Sequence, residues 1–535
     1  MPKNNADLIV EILKDAGVTH GFGIPSGNVI PFMDAMRRGG VQFVLTAHEG
    51  SAGFAADVMG RMTGKPGLGI STLGPGATNL ATGVGCAYLD RSPMIAITCN
   101  LNTDQLGRRI QMIIDHHALF KPITKASLAL REGSIASTLE EALRIALSEP
   151  MGPVHLDLPE DVMRAAASEE APATPAGGRL DPAPDLEIEK FDRLLSEAKR
   201  PVAVIGSTAM RIQDTGALLA FIEKRQIPFA TTTMAKGLID ENHPLSIGCI
   251  ERARRQFLRS FIREADLVIG LGYDVIEVEY EAWIGDAPLI HVDIEQADTD
   301  ATVNIAHEVV GDLDSALERM NDLDSFSNEW PSEIIQSHKD RFEKALRPAS
   351  ESFTPHQVID VVRSILPKEG VLSFDVGAHT HQIAGQWKAH APRTFLVTNG
   401  WSSMGFGLPA GIAAKIARPE LPVVTILGDG CFTMTCGELI AAKRMGLTLP
   451  VIVLDDRWLG LIKVKQERQS LEYYGTELQE EEYREAPAHY FGVPAVGVRE
   501  PGALETEVRK ALEANGPTVI EAVVDATHYM ETVFD

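Results

Sequence analysis

The sequence predicts an α/β chain of three doubly wound parallel-sheet domains. Three observations carry that expectation. The chain has 535 residues, room for three or four domains of about 150 residues each. Two stretches without apolar period, residues 165–187 and 346–355, are rich in Pro and charge and read as surface linkers. The three blocks they leave, 1–165, 188–345 and 350–535, each alternate short β-rich runs with amphipathic segments. Apolar strands between helices indicate parallel sheets covered on both faces.

Taken in order, the first block offers strand-like runs at 41–46, 68–72 and 94–98, with helix-like segments at 6–16 and 50–63. The second offers strands at 202–206, 229–233, 266–272 and 289–294, separated by helical patterns such as 215–226. The third offers strands at 370–377, 394–399, 422–430 and 449–456. No short-period repeat is visible.

Composition narrows the partners. Apolar residues make up 44% and charged residues 23%, ordinary for a globular protein. A formal net charge of −25 argues against nucleic acid, which needs a basic face, and no polybasic segment invites an anionic membrane. Five scattered cysteines without a C-x-x-C pair read as reduced thiols of a cytoplasmic protein. The N-terminus has no signal-peptide pattern, and no run of about eighteen apolar residues suggests a membrane span.

The most informative stretch is LPVVTILGDGCFTMTCGELIAAKRMGLTLPVIVLDDRWLG. A buried strand ends at Gly428-Asp429-Gly430, a helix is expected from near Thr433, and a second strand ends at Asp455-Asp456. The glycines allow a tight turn and close approach to a ligand, and amides at a helix start suit an anion. The spacing from Asp429 to Asp456 suits strand–helix–strand, so both carboxylates reach neighbouring carboxyl ends of parallel strands, where open sheets bind ligands. Two oxygen ligands beside a phosphate cradle fit Mg²⁺. By itself, GDG would equally suit a helix cap.

GDG followed by an acidic or amide pair resembles the thiamin-diphosphate motif of the acetolactate synthase, pyruvate oxidase and pyruvate decarboxylase superfamily. HEGSAGFAA, followed by GKPG and GPGATN, runs in step with the same superfamily. The resemblance spans nearly the whole chain, from Leu8 to about Val524, and is closest to catabolic, FAD-independent acetolactate synthases. It implies pyrimidine-binding, central and diphosphate-binding domains. Asp429, the side chain of Asp456 and the backbone carbonyl of Trp458 would hold Mg²⁺. Most relatives carry Asn-Asn where this chain has Asp455-Asp456. His379 and the amides around Gly430-Cys431, beside Gly428, would offset the added negative charge near a diphosphate. Glu49 would hydrogen-bond the aminopyrimidine ring and activate the coenzyme. Met404 would wedge between its two rings, with backbone groups around Ser402 and Met404 on the pyrimidine edge. In this superfamily Glu49 and the diphosphate site come from different subunits, which implies at least a homodimer and suggests a homotetramer.

The superfamily shares decarboxylation of a 2-oxo acid, and its branches differ in the fate of the enamine that remains. Gly27 stands where aldehyde-releasing decarboxylases carry Asp or Ser, and leaves space for a second substrate. The family's substrate-aligning glutamine falls at Gln111, or at Met112 with a one-residue slip. Lys463, Lys465, Arg108, Arg109, His116 and His117 are either positive charge for a substrate anion or solvated helix faces. Gly272-Tyr273-Asp274-Val275 replaces the pattern associated with FAD, so no flavin is expected. The preferred reaction is condensation of two pyruvates to 2-acetolactate with loss of CO₂. The alternatives are a non-oxidative 2-oxo acid decarboxylase releasing an aldehyde, an acetyl- or aldehyde-transferring lyase such as a sulfoacetaldehyde acetyltransferase-like enzyme, or a catalytically degenerate scaffold subunit.

Overall fold

A computed structural model of the chain describes residues 3–175, 177–178, 180–323, 328–479 and 486–533. Residues 1–2 and 534–535 of the expected outer domains, and positions 176 and 179 of the first expected linker, lie outside them.

Three sheets follow one another along the chain. In the first, six parallel strands run in the order Gln42–Leu45, His20–Gly23, Gly67–Thr72, Met94–Asn100, Pro153–Pro159 and Ala126–Ala129. In the second, six parallel strands run Ile305–Val310, Leu289–Asp293, Leu267–Leu271, Pro201–Ile205, Phe229–Thr231 and Ser246–Cys249. The third runs Phe395–Leu396, Val371–Phe374, Val423–Gly428, Leu449–Asp455, Pro517–Val523 and Val493–Val498 in parallel, with His489–Tyr490 antiparallel at one edge. The central strands Met94–Asn100 and Leu449–Asp455 are buried along their whole length, as helices on both faces require. The doubly wound α/β reading is therefore correct.

The expected linkers behave unequally. Helix Asp185–Glu197 begins inside the first, whereas the second joins helix Ser332–Leu346 directly to helix Pro355–Ile365. Among the described residues no helix is long and apolar enough to cross a membrane.

Two features place the functional side chains. Helices Glu49–Thr63 and Pro75–Leu89 cross at Gly53 and Gly83, where a Cβ on either glycine would come within 2.7 Å of the other's backbone. Only glycine permits that approach. The first and third sheets then share one core, with Phe54 and Phe406 edge to face at 5.7 Å and helix Gly407–Ala417 packed on helix Glu49–Thr63.

Candidate active site

Strands Val423–Gly428 and Leu449–Asp455 are parallel neighbours with Gly428 opposite Leu454, so Asp429 and Asp456 emerge side by side at their carboxyl ends. The helix starts at Asp429, not near Thr433. The Asp429 carboxylate secures that start by accepting the Gly430 amide at 2.7 Å and the Arg457 amide at 2.8 Å. The Gly430 amide, expected to face an anion, is thus engaged within the chain. Asp456 accepts the Trp458 amide at 2.9 Å. Burial, and then the neighbouring Asp456 carboxyl, push Asp429 above the ordinary carboxylate range. Burial and Asp455 do the same to Asp456. One oxygen of buried Asp455 has no hydrogen-bond partner among the described residues. Crowded, buried carboxyls in this state favour a bound cation.

His379 lies in helix Ala378–Gln386 beneath two glycines; a Cβ on Gly377 or Gly428 would stand 2.8 or 3.1 Å from its ring. Burial holds the imidazole down to about 4, so it is neutral, and its Nε2 is buried without a partner among the described residues. Ser402 sits in the left-handed region with φ 50 and donates its hydroxyl to the Asn399 carbonyl at 2.6 Å. Two tethers fix the turn around it. Asp375, missed by the sequence reading, accepts the Gly405 and Gly407 amides at 2.9 and 2.8 Å. From the first domain, Asp90 accepts the Gly400 amide at 2.8 Å and Arg61 donates to the Val397 carbonyl at 2.6 Å.

The nine third-block residues given a coenzyme or metal role by the resemblance, namely His379, Ser402, Met404, Gly428, Asp429, Gly430, Cys431, Asp456 and Trp458, line one cavity of 220 Å³, joined by buried Tyr529. Lys463 stands outside it with its ammonium 3.9 Å over the Trp458 ring, a cation–π contact that accounts for that charge.

Glu49, Gly27 and Gln111 do not line this cavity, whose walls come wholly from residues 376–529. Glu49 opens helix Glu49–Thr63, is buried, and accepts Asn79 Nδ2 at 3.0 Å. The amides of Ala47 and His48 just before it bind the Glu438 carboxylate of the third domain at 2.9 and 3.1 Å. Gly27 is exposed, and a Cβ there would meet nothing within 4 Å. Gln111 is exposed in the irregular segment before helix His116–Phe120. Sequence signals for Asp375 and Glu438 existed in FDVG and CGEL, but neither partner set is local.

Three family models match the chain: the thiamine pyrophosphate enzyme N-terminal TPP binding domain over residues 3–119, the central domain over 188–320 and the C-terminal TPP binding domain over 375–522. A probable acetolactate synthase large subunit of Methanocaldococcus jannaschii is 32% identical, over 99% of this chain and 93% of that protein.

The chain belongs to the thiamine pyrophosphate enzyme family.

Other members tell the same story. The acetolactate synthase of Bacillus subtilis is 30% identical over 97% of this chain and 93% of its own. Acetolactate synthase isozyme 2 large subunit of Escherichia coli K12 is 30% identical over 98% and 96%. As a thiamine pyrophosphate enzyme, the chain carries the cavity residues from His379 to Trp458 within its C-terminal TPP binding domain, and Glu49, Gly27 and Gln111 within its N-terminal one. The donor set fits the coenzyme: an unpartnered buried imidazole nitrogen for a phosphate oxygen, and crowded carboxyls for a metal ion.

Proposed function

We propose that this enzyme condenses two pyruvates to 2-acetolactate with loss of CO₂, using thiamin diphosphate and Mg²⁺. The observation that carries the reading is the convergence of nine residues, from four separate stretches of the third domain, on one cavity. Similarity to acetolactate synthases over nearly the full length supports the choice of reaction.

When bound, thiamin diphosphate supplies a carbon acid that adds to the ketone of a 2-oxo acid and accepts the electrons released by decarboxylation. Asp429, Asp456 and the Trp458 carbonyl would hold the metal ion, and a cation there would relieve the two crowded carboxyls, both raised above their ordinary range. His379 would turn its Nε2, buried without a partner among the described residues, toward a diphosphate oxygen. Met404 and the strained turn at Ser402 hold the coenzyme's shape from the side. Glu49, buried and oriented by Asn79, holds a proton at the aminopyrimidine ring nitrogen, general acid–base work typically worth about 10²–10⁴ in rate. Gly27 leaves room for the second 2-oxo acid, and Gln111 aligns it.

The cavity walls among the described residues come from the third domain, which supports the reading that the Glu49 serving it comes from a second copy, in a homodimer or a homotetramer built from dimers. Half or more of the Met434 surface and a third of the Trp401 surface are exposed beside the Met404 turn, apolar area a partner would cover.

The central domain is structural and takes no flavin. Open parallel sheets bind nucleotides at the carboxyl ends of their strands, where strand order reverses. There Gly206 meets Gly272, a Cβ on Gly206 falling 2.5 Å from the Gly272 carbonyl oxygen. The Glu277 carboxylate takes the Ser207 amide at 3.1 Å, the Met234 amide at 2.8 Å and the Thr232 hydroxyl. These contacts at the switch point of the second sheet support the reading that the domain takes no flavin.

The test is incubation of the holoenzyme with pyruvate, with CO₂, acetoin after acid treatment, free acetaldehyde and, with phosphate added, acetyl phosphate all measured. One CO₂ released during the incubation for each acetoin found after acid treatment, with no acetoin before it, supports the reading. Acetaldehyde or acetyl phosphate as main product replaces it with the decarboxylase or acetyl-transfer alternative. No CO₂ from any 2-oxo acid points to the scaffold.

A further inference from the structure

Helix His116–Phe120 carries two adjacent histidines, and the first is almost wholly buried. Its surroundings fix its protonation without ambiguity. The Gly74 amide donates to His116 Nε2 at 3.1 Å. A backbone amide has no other role to play, so Nε2 carries no proton and Nδ1–H donates to Asp157 at 2.9 Å.

The rest of the network agrees. Asp157 accepts Asn100 Nδ2 at 3.0 and 3.1 Å and the Thr98 hydroxyl at 3.0 Å. The Thr98 oxygen then receives His155 Nε2–H at 2.9 Å. His155 Nδ1 takes the Ser127 hydroxyl at 2.7 Å, and Ser127 in turn takes His117 Nδ1–H at 2.7 Å. Every proton in the network points toward Asp157, and His116 and His155 each carry a single ring proton. Burial, which holds His155 down to about 3, fits that state. The ligand-like trio His116, His155 and Asp157 is thus consumed by hydrogen bonds. The chain also ends on a backbone amide, which cannot pass a proton on, so the network positions groups and does not shuttle protons.

What it positions is Gly74. This residue, at φ 60, caps helix Pro75–Leu89. Gly76 of that helix lies against Glu49, where a Cβ would come 3.4 Å from Oε1, and Asn79 of the same helix donates to Glu49 Oε2. The Met112 carbonyl, next to Gln111, closes over Gly74 so tightly that a Cβ there would fall 2.4 Å away.

We propose that His116 is a positioning residue for Glu49. As a neutral acceptor of the Gly74 amide, it fixes the turn and the helix that hold the Glu49 carboxyl in place. The proposal rests on the reading of Glu49 as the group that activates the coenzyme.

The test uses full-length holoenzyme and measures hydrogen–deuterium exchange at the acidic carbon of bound thiamin diphosphate, coenzyme affinity and melting temperature. His116→Phe, which removes the acceptor, is expected to slow exchange about tenfold or more, as misplacement of a catalytic group does, with affinity changed by less than about threefold. His116→Gln, which keeps an acceptor, is expected to recover most of the rate. Ser127→Ala, at the outer end of the network, is expected to lower the melting temperature and leave exchange unchanged. Independently of activity, ¹⁵N NMR of labelled histidine in the coenzyme-free protein is expected to show His116 protonated at Nδ1 alone. Wild-type exchange in His116→Phe, equal slowing in both His116 variants, or a proton on Nε2 overturns the proposal. Where His116→Phe does not fold, the His116→Gln rate and the NMR tautomer decide. Glu49→Gln separates the two readings: if it slows exchange while His116→Phe does not, only the positioning role fails; if it exchanges normally, both fail.

Discussion

Arg61 offers the sharpest test of how the first domain supports the turn around Ser402. Its guanidinium lies between Asp57 and Asp90, whose side chains are 0% exposed, and it approaches Asp90 to 2.6 Å. It also donates to the Val397 carbonyl, while Asp90 holds the Gly400 amide. Arg61→Met keeps much of the volume and removes the charge. Two buried carboxylates are then left without their cation, a change that costs about 3–5 kcal/mol, and the Val397 carbonyl loses a charged donor. The loss has a sign in pH. Without the guanidinium, burial acts unopposed on the Asp90 carboxyl and holds it further above its unfolded value, so the variant is relatively stable below the unfolded value and loses stability as pH rises from there through the raised one. Asp90 already sits above its ordinary value through burial even with Arg61 present. Urea and thermal unfolding from about pH 5 to pH 8 is therefore expected to show a deficit that widens with pH. Adding Asp90→Asn is expected to narrow it, and coenzyme affinity is expected to fall with the loosened turn. A variant within about 1 kcal/mol of wild type at neutral pH, below the range for a broken buried pair, or a deficit that shrinks as pH rises, would refute this account.

Three further outcomes are expected. Asp456→Asn relieves one crowded carboxyl, so the coenzyme-free variant should gain on wild type as pH rises, because a raised carboxyl withdraws stability as it ionises; the extra melting temperature conferred by Mg²⁺ and thiamin diphosphate should shrink, as differential fluorimetry across pH would show. Glu277→Ala leaves two amides and a hydroxyl without an acceptor, a loss of about 1–3 kcal/mol; added acetate or phosphate should recover part of it in the variant and do nothing for wild type, and a flavin-dependent rise in wild-type melting would contradict the filled cradle. Gly27→Asp meets open space, so stability should stay within about 0.5 kcal/mol, while acetoin formed per CO₂ released should fall.

Which parts of this molecule can be read from its sequence depends on how local their causes are. The central strands announce themselves because burial on both faces leaves unbroken apolar runs, as in Leu449–Asp455. Strand His20–Gly23 hides, since two of its four residues are glycines. Its fit depends on distant side chains, a Cβ on Gly21 meeting Ile70 and Met36 at 2.8 Å. The start of helix Asp429–Thr435 is misjudged by four positions for a related reason: glycine is a poor helix former, and only the Arg457 amide on the Asp429 carboxylate shows why the turn tightens there. The cavity residues were legible because two strands and one helix bring motif positions together. Their supports were not.

Asp90 with Gly400, Glu438 with His48, and His116 with Gly74 are pairs whose members lie 310, 390 and 42 positions apart. In sequence each looks like a solvated charge. His116 is the clearest instance: on a helix face read alone it is a surface cation, yet strands Met94–Asn100 and Pro153–Pro159 bring Thr98, Asn100, His155 and Asp157 around it. A buried imidazole with all of its valences specified is a neutral fixture. The same holds for Glu277, which reads as one of several acids in a loop until the amides of two strand ends are seen to close on it. In both cases the sequence supplies the group, and the topology decides whether it acts as charge, ligand or strut.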